Sequence, residues 1–123
     1  MFWRWLFTLY VTVWVLRGTE TFTVVTYNVE NYFLEDFGTR KAKSEASRMK
    51  VVEFLEVIDA DVIALQEMGR RAALTELRGR LKVKGLDYPH EAWVVGPDPT
   101  IHLAMLSRFP IAKNRSQNQV SYL

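Results

Sequence analysis

Val62-Ile63-Ala64-Leu65 restricts this chain more than any other stretch. A continuous apolar run of this kind is typical of a strand covered on both faces, so other elements must pack against it. The flanking residues supply them. Upstream, Met49, Val52, Leu55 and Ile58 recur every three residues, and Val51 and Phe54 widen the stripe into an amphipathic helix ending near Ala60. Ser44 stands at the N-cap and Glu45 in the first turn, where the helix dipole favours a carboxylate. Earlier still, Phe22, Val24, Thr26 and Asn28 fall on one face of a strand, with Thr23, Val25 and Tyr27 on the other. Residues 34–43 carry Asp36, Gly38, Thr39 and three basic residues, and read as a loop.

After the apolar run, Leu74, Leu77 and Leu81 mark the inner face of a second helix, ringed by Arg70, Arg71, Arg78, Arg80 and Lys82 and stopped by Gly85. Glu91–Val95 and Ile101–Leu106 are further strands, separated by the turn signal Gly96-Pro97-Asp98-Pro99. Val120–Leu123 reads as the beginning of another strand. Strand, helix, strand, helix, strand, strand is an α/β order. With 123 residues there is room for one domain at most, and a 49% hydrophobic share is rich enough for a packed core. Lys and Arg exceed Asp and Glu by 16 to 14, a balance that does not by itself imply nucleic acid. The absence of cysteine excludes disulfides, thiolate metal sites and a cysteine nucleophile, and two histidines leave little scope for a multi-histidine zinc site. The basic residues of the two helices read as solvated faces.

The N-terminus differs from the rest. Arg4 precedes an uncharged, mostly apolar run from Trp5 to Leu16, followed by Arg17 and Gly18. As a helix that run would span about 18 Å, short of a ~30 Å hydrocarbon core. A basic start, a short apolar segment and a polar exit are the layout of a secretory signal, although Leu16-Arg17-Gly18 is a poor cleavage site. Residues 1–18 are expected to be a signal peptide or an N-terminal anchor, with a buried first strand as the alternative. The chain is accordingly expected to be exported, whether secreted or periplasmic, or anchored to a membrane.

The chemistry gathers where apolar strands end. The first ends in Asn28-Val29-Glu30-Asn31 and the second in Gln66-Glu67. A carboxylate just beyond a buried strand is costly unless it is solvated, hydrogen-bonded or metal-bound, so Glu67 is the most informative residue. Its bland reading is an ordinary solvated strand end, and that of Asn28 a common turn residue. Taken together and in order, "TFTVVTYNVENYF", "ADVIALQEM" and "HLAMLSRFPI" resemble the first half of the endonuclease/exonuclease/phosphatase superfamily, the DNase I-like fold.

The resemblance runs from about Thr21 onward, so residues 19–123 read as the N-terminal part of such a domain. It implies an α/β sandwich of two packed sheets with outer helices, about half of it present here. It also implies hydrolysis of phosphoesters with Mg²⁺ or Mn²⁺, as in a phosphoesterase or nuclease. Glu67 then resembles the metal-coordinating carboxylate, and Asn28 the asparagine beside metal and scissile phosphate. Glu30 and Asn31 fall where supporting residues are placed. Arg108 resembles an arginine that approaches substrate phosphate, although a salt bridge at the strand end explains it as well.

The family's general base and phosphate-facing histidine come from Asp-x-Asn and Asp-His motifs, and neither follows Glu67 here. His90, in a loop, and His102, opening a strand, lack the partners of a catalytic histidine. This polypeptide is therefore expected to be truncated, to need the missing C-terminal half for a complete site, and to be inactive alone. The competing reading is a non-catalytic exported or membrane-tethered α/β interaction module. The substrate class, whether DNA, RNA, phospholipid, inositol phosphate or sugar phosphate, stays open.

Overall fold

The first strand runs further than its alternation suggests. In a computed structural model, which describes residues 20–117, β1 spans Val24–Tyr32 and β2 spans Val62–Met68. They pair in parallel, Val24 opposite Val62 and Asn28 opposite Gln66. Parallel neighbours need a crossover, and α1 (Glu45–Ile58) provides it. After β2 come α2 (Arg71–Val83), β3 (His90–Val94) and β4 (His102–Ser107). The sheet order is β1-β2-β4-β3, with β4 antiparallel to both its neighbours. The class is mixed α/β, a four-stranded mixed sheet with two helices among the described residues. His90, expected in a loop, is the first residue of β3. Residues 1–18 and Val120–Leu123, read as a signal or anchor and as a starting strand, lie outside the described residues.

The helix boundaries follow from local chemistry. Ser44 Oγ accepts a bond from the Ser47 amide at 3.2 Å, and Asp59 closes α1 in a left-handed conformation, φ 49°. Gly85 sits at φ 85° past α2, and the Leu86 amide returns to the Leu81 carbonyl at 2.9 Å, a glycine-ended C-cap. The inner stripe of α1 is Val51, Val52 and Leu55, while Ile58 is 43% exposed. Nine residues at ~100° each carry a helix about half a turn out of phase, so a three-residue repeat begun at Met49 cannot keep Ile58 inward. Phe54 lies at the margin, its ring 4.7 Å from that of Tyr27.

Both helices contribute to the core on one face of the sheet. Ile63 and Leu65 of β2, Ala104 and Leu106 of β4 and Val29 of β1 are buried with Val52, Leu55, Leu74, Leu77 and Leu81. Each such leucine contributes about 1.5–3 kcal/mol relative to an exposed one. Tyr88 completes the cluster, its hydroxyl donating to the Ala60 carbonyl at 2.6 Å. On the opposite face Val62 and Ala64 are only half-buried, and Leu103 is 52% exposed. The expectation that β2 is covered on both sides is met on one side, because the described residues build one sheet with both helices on one face.

The helices' basic residues are not simply solvated. Glu76 accepts from the Tyr32 hydroxyl at 2.7 Å, from Arg48 at 2.8 Å and from Arg80, while Glu45 holds the same two arginines from α1. Arg71 and Arg78 both pair with Glu91 of β3. Burial, then Glu76, pushes the Tyr32 hydroxyl far above its ordinary pKa. Among the described residues no helix is long and apolar enough to cross a membrane.

Candidate active site at the strand ends

Regular β2 would ruin Glu67. Ile63 and Leu65 point to the helices, so strict alternation would drive Glu67 into the same core. The strand breaks its period instead. Leu65 and Met68 are both buried, while Gln66 and Glu67 both line an open cleft of about 600 Å³. Two irregularities produce this. Against β4, Leu65 pairs with Ala104 and Met68 with His102, leaving one extra residue in β2. Against β1, Asn28 pairs with Gln66 and Tyr32 with Met68, so residues 29–31 face Glu67 alone. Bulges re-aim side chains in this way, often beside active sites.

The backbone shows the cost. Glu30 and Asn31 have φ 52°, and Glu67 has φ 59°. A glutamate in this left-handed region costs about 1–2 kcal/mol, an asparagine less, and such strain concentrates at functional sites. Hydrogen bonds hold it in place. Asn28 Nδ2 donates to Glu67 Oε1 at 3.1 Å, bringing together residues 39 positions apart. The Asn31 amide donates to Glu67 Oε2 at 3.1 Å, and the Glu30 amide to Asn28 Oδ1 at 2.9 Å. Glu30 and Asn31 therefore enter the site through their main chains. Lys43 Nζ donates to the Glu30 carbonyl at 2.9 Å.

Gly69 draws the two strand ends together. Its amide donates to the Tyr32 carbonyl at 3.0 Å, and a Cβ there would sit 2.7 Å from that oxygen and 3.0 Å from Phe33 Cδ1. Only glycine permits this approach. Across the cleft, Asp98 accepts from the Thr100 amide and hydroxyl at 2.8 and 2.7 Å and from Arg40 at 3.1 Å. Thr100 first, then Arg40, holds the Asp98 carboxyl well below the usual carboxylate range. Val94, Pro97, Ile101 and Leu103 form the cleft's apolar wall.

The other expected residues lie elsewhere or play other parts. Arg108 is not brought to this site. It pairs with Asp59 and, at 3.2 Å, with Asp61, and its guanidinium lies over the Tyr88 ring. Its amide bonds the Asp61 carbonyl at the opposite end of β2, six residues from Glu67 at about 3.3 Å each, or about 20 Å. The salt-bridge reading fits that position, and the phosphate role expected from the resemblance does not. His102 is buried and lines the same cleft, with its ring centroid 4.7 Å from that of Trp93. Lys43, Gly69 and Asp98 escaped sequence reasoning. The one signal available was Gly69 directly after the Gln66-Glu67-Met68 strand end.

The donor set suits a hard cation. Glu67 receives one hydrogen bond on each carboxylate oxygen, and each oxygen keeps a further lone pair. Mg²⁺ takes one or two protein carboxylates and keeps several waters, so this single carboxylate facing an open cleft is a fitting ligand for it or Mn²⁺. Among the described residues no group of three or more His, Cys, Asp and Glu converges on one point. No family model, curated protein or solved structure matches the chain.

Proposed function

We propose that this chain carries the metal-binding end of a phosphoester hydrolase of the endonuclease/exonuclease/phosphatase type, with a DNase I-like sandwich as the complete architecture. One observation carries most of the reading. Glu67 and Asn28, drawn from two apolar strands, meet at the rim of a cleft on backbone that adopts disfavoured dihedrals to hold them there. When bound, Mg²⁺ or Mn²⁺ would supply charge stabilisation at the phosphoryl and leaving oxygens.

The chain's own residues have separable tasks. Glu67 offers its free lone pairs as the metal ligand. The Glu30 amide fixes which end of the Asn28 carboxamide is oxygen, so its nitrogen must face Glu67. That nitrogen has two hydrogens and gives one to Glu67, leaving one for a substrate phosphate oxygen. Gln66 is occupied with the Thr26 hydroxyl at 2.8 Å and shapes the floor. A base to orient the attacking water is not among these residues, and such a group typically contributes about 10²–10⁴-fold. The substrate is a phosphoester, with nucleic acid among the candidates.

The test is twofold. The chain should bind Mg²⁺ or Mn²⁺ weakly and hydrolyse bis(p-nitrophenyl) phosphate at or near background. In a protein joining these residues to Asp-x-Asn and Asp-His motifs, Glu67→Gln should abolish most turnover by weakening the metal site. Asn28→Ala should slow turnover with metal affinity closer to intact. Metal-dependent turnover that survives Glu67→Gln would overturn the mechanism, and a complete protein without metal-dependent turnover would favour the non-catalytic module.

A further inference from the structure

Glu67 and Lys43 grip the same peptide unit from opposite sides. The carbonyl of Glu30 accepts from Lys43 Nζ at 2.9 Å, and the amide of Asn31, the other half of that unit, donates to Glu67 Oε2 at 3.1 Å. In a trans peptide the C=O and N–H point in opposite directions, so an ammonium on the oxygen polarises the amide toward the carboxylate. Both residues flanking the unit are left-handed, φ 52° each; asparagine tolerates that region, but nothing in the intrinsic preference of Glu30 keeps the unit there. A hydrogen bond from a charged donor is about twice as strong as a neutral one and can hold such a peptide in place.

Lys43 is itself well placed to act. Its own amide donates to the Phe33 carbonyl at 2.9 Å, closing the loop after β1, and the next residue, Ser44, caps α1. The ammonium makes no ion pair within 4.0 Å among the described residues, whereas Arg40 and Lys41 of the same loop are held by Asp98 and Asp36. From this geometry we infer that Lys43 is a positioning residue, which orients Glu67 for its cation by clamping the 30–31 peptide. The inference rests on the Glu67 metal site proposed above.

Its sign separates it from simple electrostatics. Removing a positive charge near a cation site should by itself tighten cation binding. Losing a clamp should weaken it, and outer-shell partners of metal ligands typically cost about 10–100-fold in affinity. The experiment compares the full chain with Lys43→Met and Lys43→Arg. Isothermal titration reads Mn²⁺ affinity, and amide NMR reads the Asn31 N–H without metal.

Lys43→Met should move the Asn31 amide proton upfield and lower Mn²⁺ affinity about 10-fold. Lys43→Arg, which keeps a cationic donor, should recover most of both. An Asn31 resonance unchanged in Lys43→Met, or Mn²⁺ affinity that rises, would overturn the inference. Glu67→Gln in the same titration tests the metal reading separately. If that substitution leaves affinity unaltered, the metal site falls and the cation-orienting role with it, while the Asn31 resonance still decides whether Lys43 clamps the 30–31 peptide.

Discussion

Gly69→Ala places one methyl group where the two strand ends meet. The new Cβ would lie 2.7 Å from the Tyr32 oxygen and 3.0 Å from Phe33 Cδ1, so at least the first neighbour must retreat by several tenths of an ångström. Neither can do so freely, because Tyr32 and Phe33 are both fully buried. Overpacking of this kind costs about 1–3 kcal/mol, and losing the Gly69–Tyr32 hydrogen bond adds about 1 kcal/mol. A total of about 2–4 kcal/mol corresponds to a urea midpoint lowered by about 1–2 M at an m-value of about 2 kcal/mol/M. The same retreat separates Glu67 from Asn28 and the Asn31 amide, so Mn²⁺ affinity should fall as well. Gly79→Ala is the control. It changes the same atoms in the interior of α2 with nothing within 4 Å, and should stabilise by about 0.5–1 kcal/mol. If Gly69→Ala leaves the midpoint at or above that of the parent, the close approach does not constrain the site as argued.

Two further outcomes follow from the opposite end of the sheet. The Thr23 amide, then Arg108, holds the Asp61 carboxyl below its ordinary pKa. A folded value below the unfolded one stabilises fully above pH about 4 and loses that contribution as pH falls through the folded value, so acid urea titrations should show a slope that Asp61→Asn partly flattens. Arg108→Ala should cost about 1 kcal/mol through its lost ion pairs and its contact with Tyr88, yet leave Mn²⁺ affinity unchanged; weakened Mn²⁺ binding would restore Arg108 to the site.

The elements were legible because their apolar periods are strong. Leu74, Leu77 and Leu81 keep helical phase and are all buried, whereas the run from Met49 to Ile58 drifts out of phase and misplaces its last residue. The site was legible as two polar strand ends, since Asn28 and Glu67 follow apolar runs that a sheet brings side by side. Its precision was not. Left-handed dihedrals at Glu30 and Glu67 contradict the local preferences of glutamate, and only contacts between distant segments impose them. Lys43 reads as one cation in a basic loop until the peptide it holds is located. Arg108 had two readings, and the strand register separates them by placing it beside Asp61. The pairing of Arg48 and Arg80 with Glu76 across two helices leaves no linear pattern at all.

Paramagnetic broadening by Mn²⁺ tests the central claim most directly, because it locates the cation without needing turnover. Substoichiometric Mn²⁺ added to the isotopically labelled chain should first broaden the Asn28 side-chain amide and the backbone amides of Asn31 and Glu67. Resonances of Asp61 and Arg108, about 20 Å away along β2 at about 3.3 Å per residue, should respond later. Glu67→Gln should remove the preferential broadening while preserving the rest of the spectrum. Broadening centred on Asp59 and Asp61, or a pattern at Asn28 and Asn31 that persists in Glu67→Gln, would contradict the assignment of Glu67 as the metal ligand.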